Sequence, residues 1–548
     1  MSASSKKKLR NEQNAAKMTE RQLKEQAEAK KLKLMTMSFT AALALILVVA
    51  ITFAAFQFVN NSGIREKNTV AATIGGVELS NAQLNYYYVD AVYEFANTYG
   101  SYASLFGLDL TKPLNEQVIN EETGATWADD FIASALSNAQ ATLALVNAAN
   151  AEGFALTEAQ LSEIENNIGT MELYAVLYGY SSADEYIQAY YGHGASVDSF
   201  REYSQNNALA QAYYSQYSNS LTYDDAALRA AEAGKEAEYS NYSYSYYYLN
   251  VSKFLTGGTT DENGTTTYSA EEKAAAVAAA EEAAKALTEA SDLEALNAAI
   301  AALSINAEAE TAPTATTISN YSYANVTSVA REWITDPARV SGELGYVESA
   351  STTTNEDGTE TKTVNGYYVL YFAGVEDNNF PLANVRHILI APEGGTYDAT
   401  TGTTTYSATE MAGAKVKAEA LLAEFLAGEI TEEAFAALAA ENTADTGSKE
   451  NGGLYEDIYP GQMVTNFNDW CFAEGRMPGD TGIVESDYGY HIMFYVSDSA
   501  TIYRNMLIEN TLRSNDTASW YQALVEACTV TEGNTKYLSL DMVLSSGN

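Results

Sequence analysis

The chain has 548 residues, which is enough for about three or four domains, so a single small module is excluded. Its 72 acidic and 30 basic residues give a formal net charge of -42, and this argues against nucleic acid as a partner, because binding to phosphates needs a lysine- and arginine-rich surface. Cys471 and Cys528 are its two cysteines, so a disulfide framework and a cysteine-rich zinc site are excluded, while pairing between these two residues stays open.

The first predicted element is a membrane anchor. Residues 1–33 hold ten basic and four acidic side chains, and residues 34–59 then carry no charge. About 20 apolar residues are enough to cross the hydrocarbon core of a bilayer, and clustered positive charge keeps its flank in the cytoplasm. We therefore expect a cytoplasmic tail over residues 1–33, a transmembrane signal anchor over residues 34–59 and an extracytoplasmic remainder. A cleaved signal peptide is the alternative.

The segment after the anchor, residues 60–238, is predicted to be mostly helical. Capping boxes mark three helix starts, at Ser80 and Gln83, Thr157 and Gln160, and Ser182 and Glu185. Helical spacing returns near the end of the chain, over residues 499–548. A tail of this length is too short to fold alone, so we expect residues 499–540 to complete the helical core.

An internal repeat organises the middle of the chain. The heptapeptide GTTTYSA occurs at residues 264–270 and again at residues 402–408. A longer block also occurs twice, at residues 331–347 and 468–484, and keeps one tryptophan, one arginine and two glycines in the same order. Chance is a poor explanation for matches in register, so these segments indicate two copies of one domain.

We place the two copies at residues 239–376 and 377–498. Each has a β-rich opening, alanine-rich helices and a closing strand that begins with Gly-Tyr, which indicates an α+β domain whose first and last strands are neighbours. The expected fold is therefore multidomain, with an N-terminal transmembrane helix, a helical core and two α+β domains. Capping boxes begin the first helix of each copy, at Ser269 and Glu272 and at Ser407 and Glu410.

The three histidines of the chain differ in their settings. His193 lies between two glycines and is interpreted as a solvated loop residue. His387 and His491 fall on the predicted first and last strands of the second copy, where spacing alone allows filler residues as well as a functional pair. The first copy has no histidine and has Tyr368 where His491 aligns. Any histidine-dependent site therefore belongs to the second copy alone.

Five segments of the second copy form a recognisable series. They are VRHILI at 385–390, FAALA at 435–439, DTGSKENGG at 445–453, GQM at 461–463 with Phe467, and YGYHI at 488–492. With this series, the second copy resembles the parvulins, a family of peptidyl-prolyl cis/trans isomerases. More loosely, residues 61–238 with the C-terminal tail resemble the helical chaperone core of the SurA and PrsA foldases, and the first copy is interpreted as a degenerate parvulin-like domain.

The resemblance implies catalytic roles for His387, Asp445 and His491, with the two histidines as a hydrogen-bonded pair. It places Asp445 where some parvulins have cysteine and others aspartate, and a carboxylate there could orient the pair. It implies that Met463 and Phe467 form the pocket for the proline ring. Ordinary core packing for Met463 and Phe467, and a helix-terminal cap for Asp445, stay open. No cofactor and no metal is implied.

One segment departs from the family pattern. Tyr455 stands where an apolar wall residue of the substrate pocket is expected, and we count it among the substrate-binding residues. Glu456 replaces a turn glycine, which costs backbone freedom if φ is positive there. This departure leaves substrate preference and rate open but not the fold.

The resemblance implies a foldase, and the predicted anchor places it in the bacterial cell membrane, with a single span and a cytoplasmic N-terminus. Its expected partners are unfolded exported polypeptides with X-Pro bonds, and self-association into a homodimer stays open. The alternative is a non-catalytic holdase on a parvulin scaffold. A metal-dependent hydrolase lacks ligands, because no two histidines are near in sequence and the acidic loop at 261–263 does not have calcium-loop spacing.

Overall fold

The computed structural model describes residues 2–13, 45–52, 62–355 and 357–544. Much of the predicted basic tail over 1–33, and most of the predicted anchor over 34–59, lies outside the described residues. Residues 3–13 and 45–52 are helical. Within the described ranges, no helix combines the length and apolar character that a membrane span needs.

The helices after residue 62 begin mostly at side-chain caps. Serine, threonine or aspartate stands at the start of most of them and accepts a backbone N–H from the first turn. In chain order, the helices are α1 (Ile64–Asn68), α2 (Asn81–Tyr99), α3 (Trp127–Glu152), α4 (Glu158–Leu177), α5 (Ala183–Tyr191), α6 (Val197–Ser220), α7 (Asp225–Glu232), α8 (Ala270–Leu287), α9 (Leu293–Ala301), α10 (Arg331–Ile334), α11 (Ala408–Ala427), α12 (Glu432–Asn442), α13 (Thr465–Cys471) and α14 (Tyr503–Ala527).

The strands form antiparallel sheets and short ribbons. In chain order, they are β1 (Val70–Ile74), β2 (Val77–Ser80), β3 (Val118–Asn120), β4 (Ala125–Thr126), β5 (Asn241–Asn250), β6 (Thr259–Thr260), β7 (Thr266–Thr267), β8 (Thr316–Ser322), β9 (Leu344–Thr354), β10 (Glu360–Glu376), β11 (Pro381–Ile390), β12 (Thr396–Asp398), β13 (Thr403–Thr405), β14 (Leu454–Ile458), β15 (Thr481–Ser486), β16 (Gly489–Ile502) and β17 (Val530–Glu532).

The first of two compact units comprises residues 1–221 and 515–548. Its core lies between helices such as α2 and α3 and a small sheet of order β17-β1-β2. The C-terminal strand β17 pairs with β1, with Ala72 opposite Glu532. The end of the chain therefore completes the sheet beneath the N-terminal helices.

The second unit comprises residues 222–514, so its start precedes the expected boundary at residue 238. Helix α7 belongs here because Leu228 is buried with Tyr239 and Ile508. The side chain of Arg504 also pairs with Glu232 and donates to the backbone oxygen of Asp377. Residues 499–514 likewise belong to this unit rather than to the helical core.

Two sheets of the same design occupy the second unit. Their strand orders are β8-β5-β10-β9 and β14-β11-β16-β15, so the first and last strands of each copy are neighbours, as predicted. Helices α8 and α9 pack on one face of the first sheet, and α11 and α12 pack on one face of the second. The opposite face of each sheet packs against a short helix and its flanking loops.

Four of the five predicted capping boxes are present, at Ser80, Thr157, Ser269 and Ser407. The one at Ser182 is incomplete. Ser182 accepts the backbone N–H of Glu185, but the Glu185 carboxylate accepts the backbone N–H and the hydroxyl of Ser181 instead. Both cysteines are buried and free, and His193 is exposed.

Candidate active site

Two neighbouring strands position the histidine pair. In the antiparallel register of β11 and β16, His387 lies opposite Met493 and His491 lies opposite Leu389. The two histidines are therefore diagonal neighbours on one face of the sheet. Their Nδ1 atoms are 3.1 Å apart and their ring centroids are 5.3 Å apart. Both side chains are buried, so this contact is shielded from water.

A loop after α12 brings a carboxylate to the pair. The backbone N–H of Ala444 donates to the Leu389 oxygen at 2.9 Å, and the Leu389 N–H donates to the Thr443 hydroxyl at 3.0 Å, so the loop is held against β11. Asp445 Oδ2 then lies 2.9 Å from His387 Nε2. Because α12 ends before this residue and its carboxylate contacts the histidine, the helix-cap interpretation of Asp445 is not supported.

Three donors surround the same carboxylate oxygen. Besides His387, the Ser448 hydroxyl donates to Asp445 Oδ2 at 2.5 Å and the Tyr455 hydroxyl donates to it at 3.0 Å. Burial opposes ionisation of Asp445, but the hydrogen bonds from Ser448, His387 and Tyr455 outweigh it and lower its pKa to about 2. The carboxylate is therefore ionised and accepts from all three partners at neutral pH.

The histidines themselves are neutral at neutral pH. Burial lowers the pKa of His491 to about 4, with a further lowering by the neighbouring His387 and a smaller opposing effect of Asp445. Burial also lowers the pKa of His387, although the hydrogen bond to Asp445 and its charge act in the opposite direction. A buried imidazole resists protonation because the charged form loses its hydration.

Neutral histidines beside an ionised carboxylate fix the direction of every hydrogen bond. His387 must donate through Nε2 to Asp445, which leaves its Nδ1 to accept from the Nδ1–H of His491. His491 Nε2 then accepts from the Ser486 hydroxyl at 2.8 Å. The Tyr488 N–H in turn donates to this Ser486 oxygen at 3.2 Å. One directional chain thus runs from the backbone through both imidazoles to Asp445.

An apolar wall stands beside this chain. Phe467 of α13 is 2% exposed, and its ring stands roughly perpendicular to both imidazoles, at centroid distances of 5.3 and 5.4 Å. A cavity of about 280 Å³ opens between this wall and the histidine pair. The residues that line it are His387, Leu389, Asp445, Tyr455, Gln462, Met463, Val464, Phe467, Tyr488 and His491.

The structure brings all six predicted site residues to this cavity. Phe467 also belongs to the core behind it and Met463 packs on that core, so core packing and a pocket wall coincide. Tyr455 contributes a hydroxyl bonded to Asp445 rather than an apolar surface alone. The backbone cost expected for a positive φ at Glu456 does not arise there, because the positive φ in β14, 52°, belongs to the next residue, Asp457.

Sequence reasoning missed two serines. Ser448 lies inside the segment DTGSKENGG and contacts both Asp445 and His387 Nε2, so the motif itself offered a signal. Ser486 ends β15 and faces His491 across the turn to β16. Only a prediction of this hairpin register would have found it.

The first copy has tyrosines in the corresponding positions. In the register of β5 and β10, Tyr246 and Tyr368 occupy the diagonal places that His387 and His491 occupy in the second copy. Their ring centroids are 5.7 Å apart. The scaffold is thus repeated, whereas the imidazole pair is present in the second copy only.

Comparison with known proteins assigns a family to this part of the chain. Residues 367–499 match the family described as the PPIC-type PPIASE domain. Foldase protein PrsA 1 of Listeria innocua is 41% identical over 61 residues, which cover 11% of this chain and 21% of the relative. Foldase protein PrsA 1 of Listeria monocytogenes is 30% identical over 110 residues, covering 20% of this chain and 34% of the relative.

Solved structures also match. The crystal structure of PrsA from Bacillus anthracis aligns at 22% identity and a TM-score of 0.18, covering 28% of this chain and 59% of that chain. The peptidylprolyl isomerase PrsA from Bacillus cereus aligns at 26% identity and a TM-score of 0.17, covering 27% and 49%. The chain spans between a fifth and about a third of the length of the two curated relatives.

Proposed function

We propose that this chain, in which residues 367–499 are a PPIC-type peptidyl-prolyl isomerase domain related to the PrsA foldases, is a foldase that isomerises X-Pro bonds in unfolded polypeptides. The observation that carries the proposal is the buried pair of His387 and His491, bonded to Asp445 and set beneath a cavity walled by Phe467. In this proposal, these three polar residues are catalytic, and Met463, Phe467 and Tyr455 bind the substrate.

The reaction needs no cofactor chemistry. Rotation about an X-Pro amide meets a barrier of roughly 18–20 kcal/mol because the planar amide is stabilised by resonance, and the uncatalysed event takes tens of seconds or longer. Resonance also separates charge between oxygen and nitrogen, and water solvates that charge. A site that binds the twisted amide more tightly than the planar one lowers the barrier, and each 1.36 kcal/mol of this difference gives a tenfold rate increase.

The cavity fits this requirement. Its apolar lining by Leu389, Met463, Val464 and Phe467 removes water from a bound proline ring, which disfavours the charge-separated planar form. The histidine pair adds no net charge to its floor, because both imidazoles are neutral. The Asp445 carboxylate already accepts hydrogen bonds from three donors, so the floor of the cavity is rigid and preorganised before substrate arrives.

We further propose that the chain works outside the cytoplasm, tethered by the uncharged segment over residues 34–59 with the basic tail inside. The helical unit would then hold unfolded clients near the extracytoplasmic face of the cell membrane, while the second copy acts on their prolines. Protease added to intact cells should degrade the acidic bulk and spare the N-terminal tail. Complete protection of the bulk would reject this topology.

The central experiment measures cis/trans exchange of a short X-Pro peptide by NMR, with the full chain and its H491A variant. We expect the wild-type chain to accelerate exchange and the variant to lose at least tenfold, because His387 Nδ1 then lacks its donor. Circular dichroism verifies that the variant is folded. Wild-type exchange at the uncatalysed rate would reject the isomerase proposal.

The non-catalytic holdase is the second candidate. It is favoured by the first copy, where Tyr246 and Tyr368 take the places of the imidazoles on an otherwise repeated sheet. A scaffold can thus persist in this chain without the pair. If the wild-type chain suppresses aggregation of an unfolded protein without accelerating exchange, the holdase is the better description.

A further inference from the structure

A cluster of exposed apolar side chains lies at the junction of α4 and α5 in the first unit. Val176 is 77% exposed and Leu177 is 69% exposed, although both stand in the last turn of a well-formed helix. We call this surface the α4–α5 patch. Its exposed members are Leu173, Tyr174, Val176, Leu177, Tyr178 and Tyr190.

The patch is contiguous rather than scattered. Leu173 and Leu177 are four residues apart on one helix, as are Tyr174 and Tyr178, so each pair shares a helical face. Tyr186 of α5 joins the two helices, because its ring is parallel to that of Tyr178 at 6.2 Å and lies 6.4 Å from that of Tyr174.

The same ring also contacts two more tyrosines. Tyr186 lies 5.4 Å from Tyr180 and 5.1 Å from Tyr190, between ring centroids. Contiguous apolar surface of this kind marks interaction sites on soluble proteins, whereas single exposed apolar residues do not. Tyrosine rings add faces that attract lysine and arginine cations.

The charge around the patch selects its partner. Residues 158–191 contain six carboxylates and no lysine or arginine, although one of the six, Glu165, forms an ion pair with Arg201 of α6. Glu172 is exposed and stands four residues before Val176, on the same helical face. An acidic rim repels a second copy of this chain, which carries the same charge, and it repels an anionic membrane surface. It attracts cationic segments.

We propose that the α4–α5 patch binds unfolded polypeptide segments in which aromatic or aliphatic residues are flanked by lysine or arginine. Apolar client side chains contact Val176, Leu177 and Tyr178, and the flanking cations lie against Glu172 and the tyrosine faces. The inference rests on the proposed foldase function and names the client chemistry and the surface that recognises it. The patch is separate in sequence from the isomerase domain at 367–499.

The test compares the full chain with V176S/L177S, E172K and the control V340S. Val340 is 65% exposed in the loop between α10 and β9, so its replacement removes an accessible apolar group outside the patch. The ligands are two proline-free fluorescent peptides with the same Leu-Tyr-Val core, flanked by lysines in one and by glutamates in the other. Fluorescence anisotropy at low salt gives the affinities, and NMR exchange of a short X-Pro peptide gives isomerase activity independently.

We expect the lysine-flanked peptide to bind at least tenfold more tightly than the glutamate-flanked one. V176S/L177S should weaken binding of the lysine-flanked peptide at least tenfold, E172K about threefold, and V340S not measurably, while isomerase activity stays unchanged in all three variants. Equal binding by V176S/L177S, or preference for the glutamate-flanked peptide, would overturn the proposal. The proposal would also be overturned if the chain self-associated or adsorbed to neutral vesicles, and V176S/L177S abolished this association without changing peptide binding. Absence of isomerase activity in the wild-type chain would instead count against the proposed function.

Discussion

His491 is predicted to remain neutral far below the usual pH for histidine. Its side chain is 6% exposed, its Nδ1–H donates to His387, and its Nε2 accepts from Ser486. Protonation of Nε2 would place a buried positive charge there and force the Ser486 hydroxyl to reverse its hydrogen bond. Burial, helped by the neighbouring imidazole, therefore lowers the pKa to about 4 from an ordinary value of 6.5.

The magnitude follows from these two values. At pH 5, about one-tenth of His491 should be protonated, compared with about 97% of a histidine with the ordinary pKa. Because the pKa in the folded state lies below that in the unfolded state, the free energy of unfolding has its full value above about pH 6.5. It falls as the pH drops toward 4, by roughly 3 kcal/mol for His491. The lowered pKa of His387 acts in the same direction.

The assay is a pH titration of the histidine side chains by long-range ¹H–¹⁵N NMR. The chain has three histidines, so the spectrum is sparse, and the variant H193Q identifies the exposed one. The spectrum also reports tautomers, and we expect the proton of His491 on Nδ1 and that of His387 on Nε2. A His491 midpoint above pH 6, or a proton on its Nε2 at neutral pH, would refute the hydrogen-bond directions derived from the structure.

Three substitutions test other parts of the site. F467L keeps an apolar residue but removes the ring that contacts both imidazoles. We expect the rate of cis/trans exchange to fall at least tenfold and the free energy of unfolding in urea titrations to fall by about 1–2 kcal/mol. Full activity would contradict a role for the ring. D445N should lower the free energy of unfolding by about 1–3 kcal/mol. It should also lower the pKa of His387 further, because the carboxylate charge that raises this pKa is lost. An unchanged His387 midpoint in the same NMR titration would contradict this expectation. G453A should destabilise the domain by several kcal/mol, because a Cβ at this residue, where φ is +76°, would lie 2.2 Å from the backbone oxygen of His387. The matched variant G461A has a φ of +88° and no atom within 4 Å of its Cβ, so it should cost only about 1 kcal/mol. Equal effects of the two variants in thermal melts would reject the steric argument.

Local pattern was enough to predict the parts of the fold that depend on local physics. The serine and threonine capping boxes located helix starts because the capping hydrogen bonds join residues three apart. The repeat with a tryptophan, an arginine and two glycines marked equivalent structures. In both copies the arginine guanidinium lies over the tryptophan ring, at 4.2 Å for Arg339 on Trp333 and 3.9 Å for Arg476 on Trp470.

Features that depend on contacts between distant segments were out of reach. Ser486 belongs to the hydrogen-bonded chain only because β15 and β16 form a hairpin in one register. The hydroxyl of Tyr455 reaches Asp445 only because β14 pairs with β11, with Tyr455 opposite Val385. The early start of the second unit depends on the burial of Leu228 against residues far away in sequence. None of these relations leaves a periodic signal.

The comparison of the two copies separates what the scaffold supplies from what the site requires. Both sheets place their first and last strands side by side, so both offer diagonal positions for a ring pair, Tyr246 with Tyr368 or His387 with His491. In the second copy, the loop after α12 brings Asp445 to the face that carries the ring pair. In the first copy, the loop after α9 brings Asn306 to the hydroxyl of Tyr247. Tyr247 is next to Tyr246 in the strand, so its side chain lies on the opposite face of the sheet. Tyrosine rings have no tautomers, and an imidazole pair needs a fixed acceptor such as Asp445 to hold the one tautomer on which the directional chain depends. The scaffold therefore supplies the geometry of a ring pair, and the two imidazoles together with the loop that carries Asp445 turn it into a polarised site.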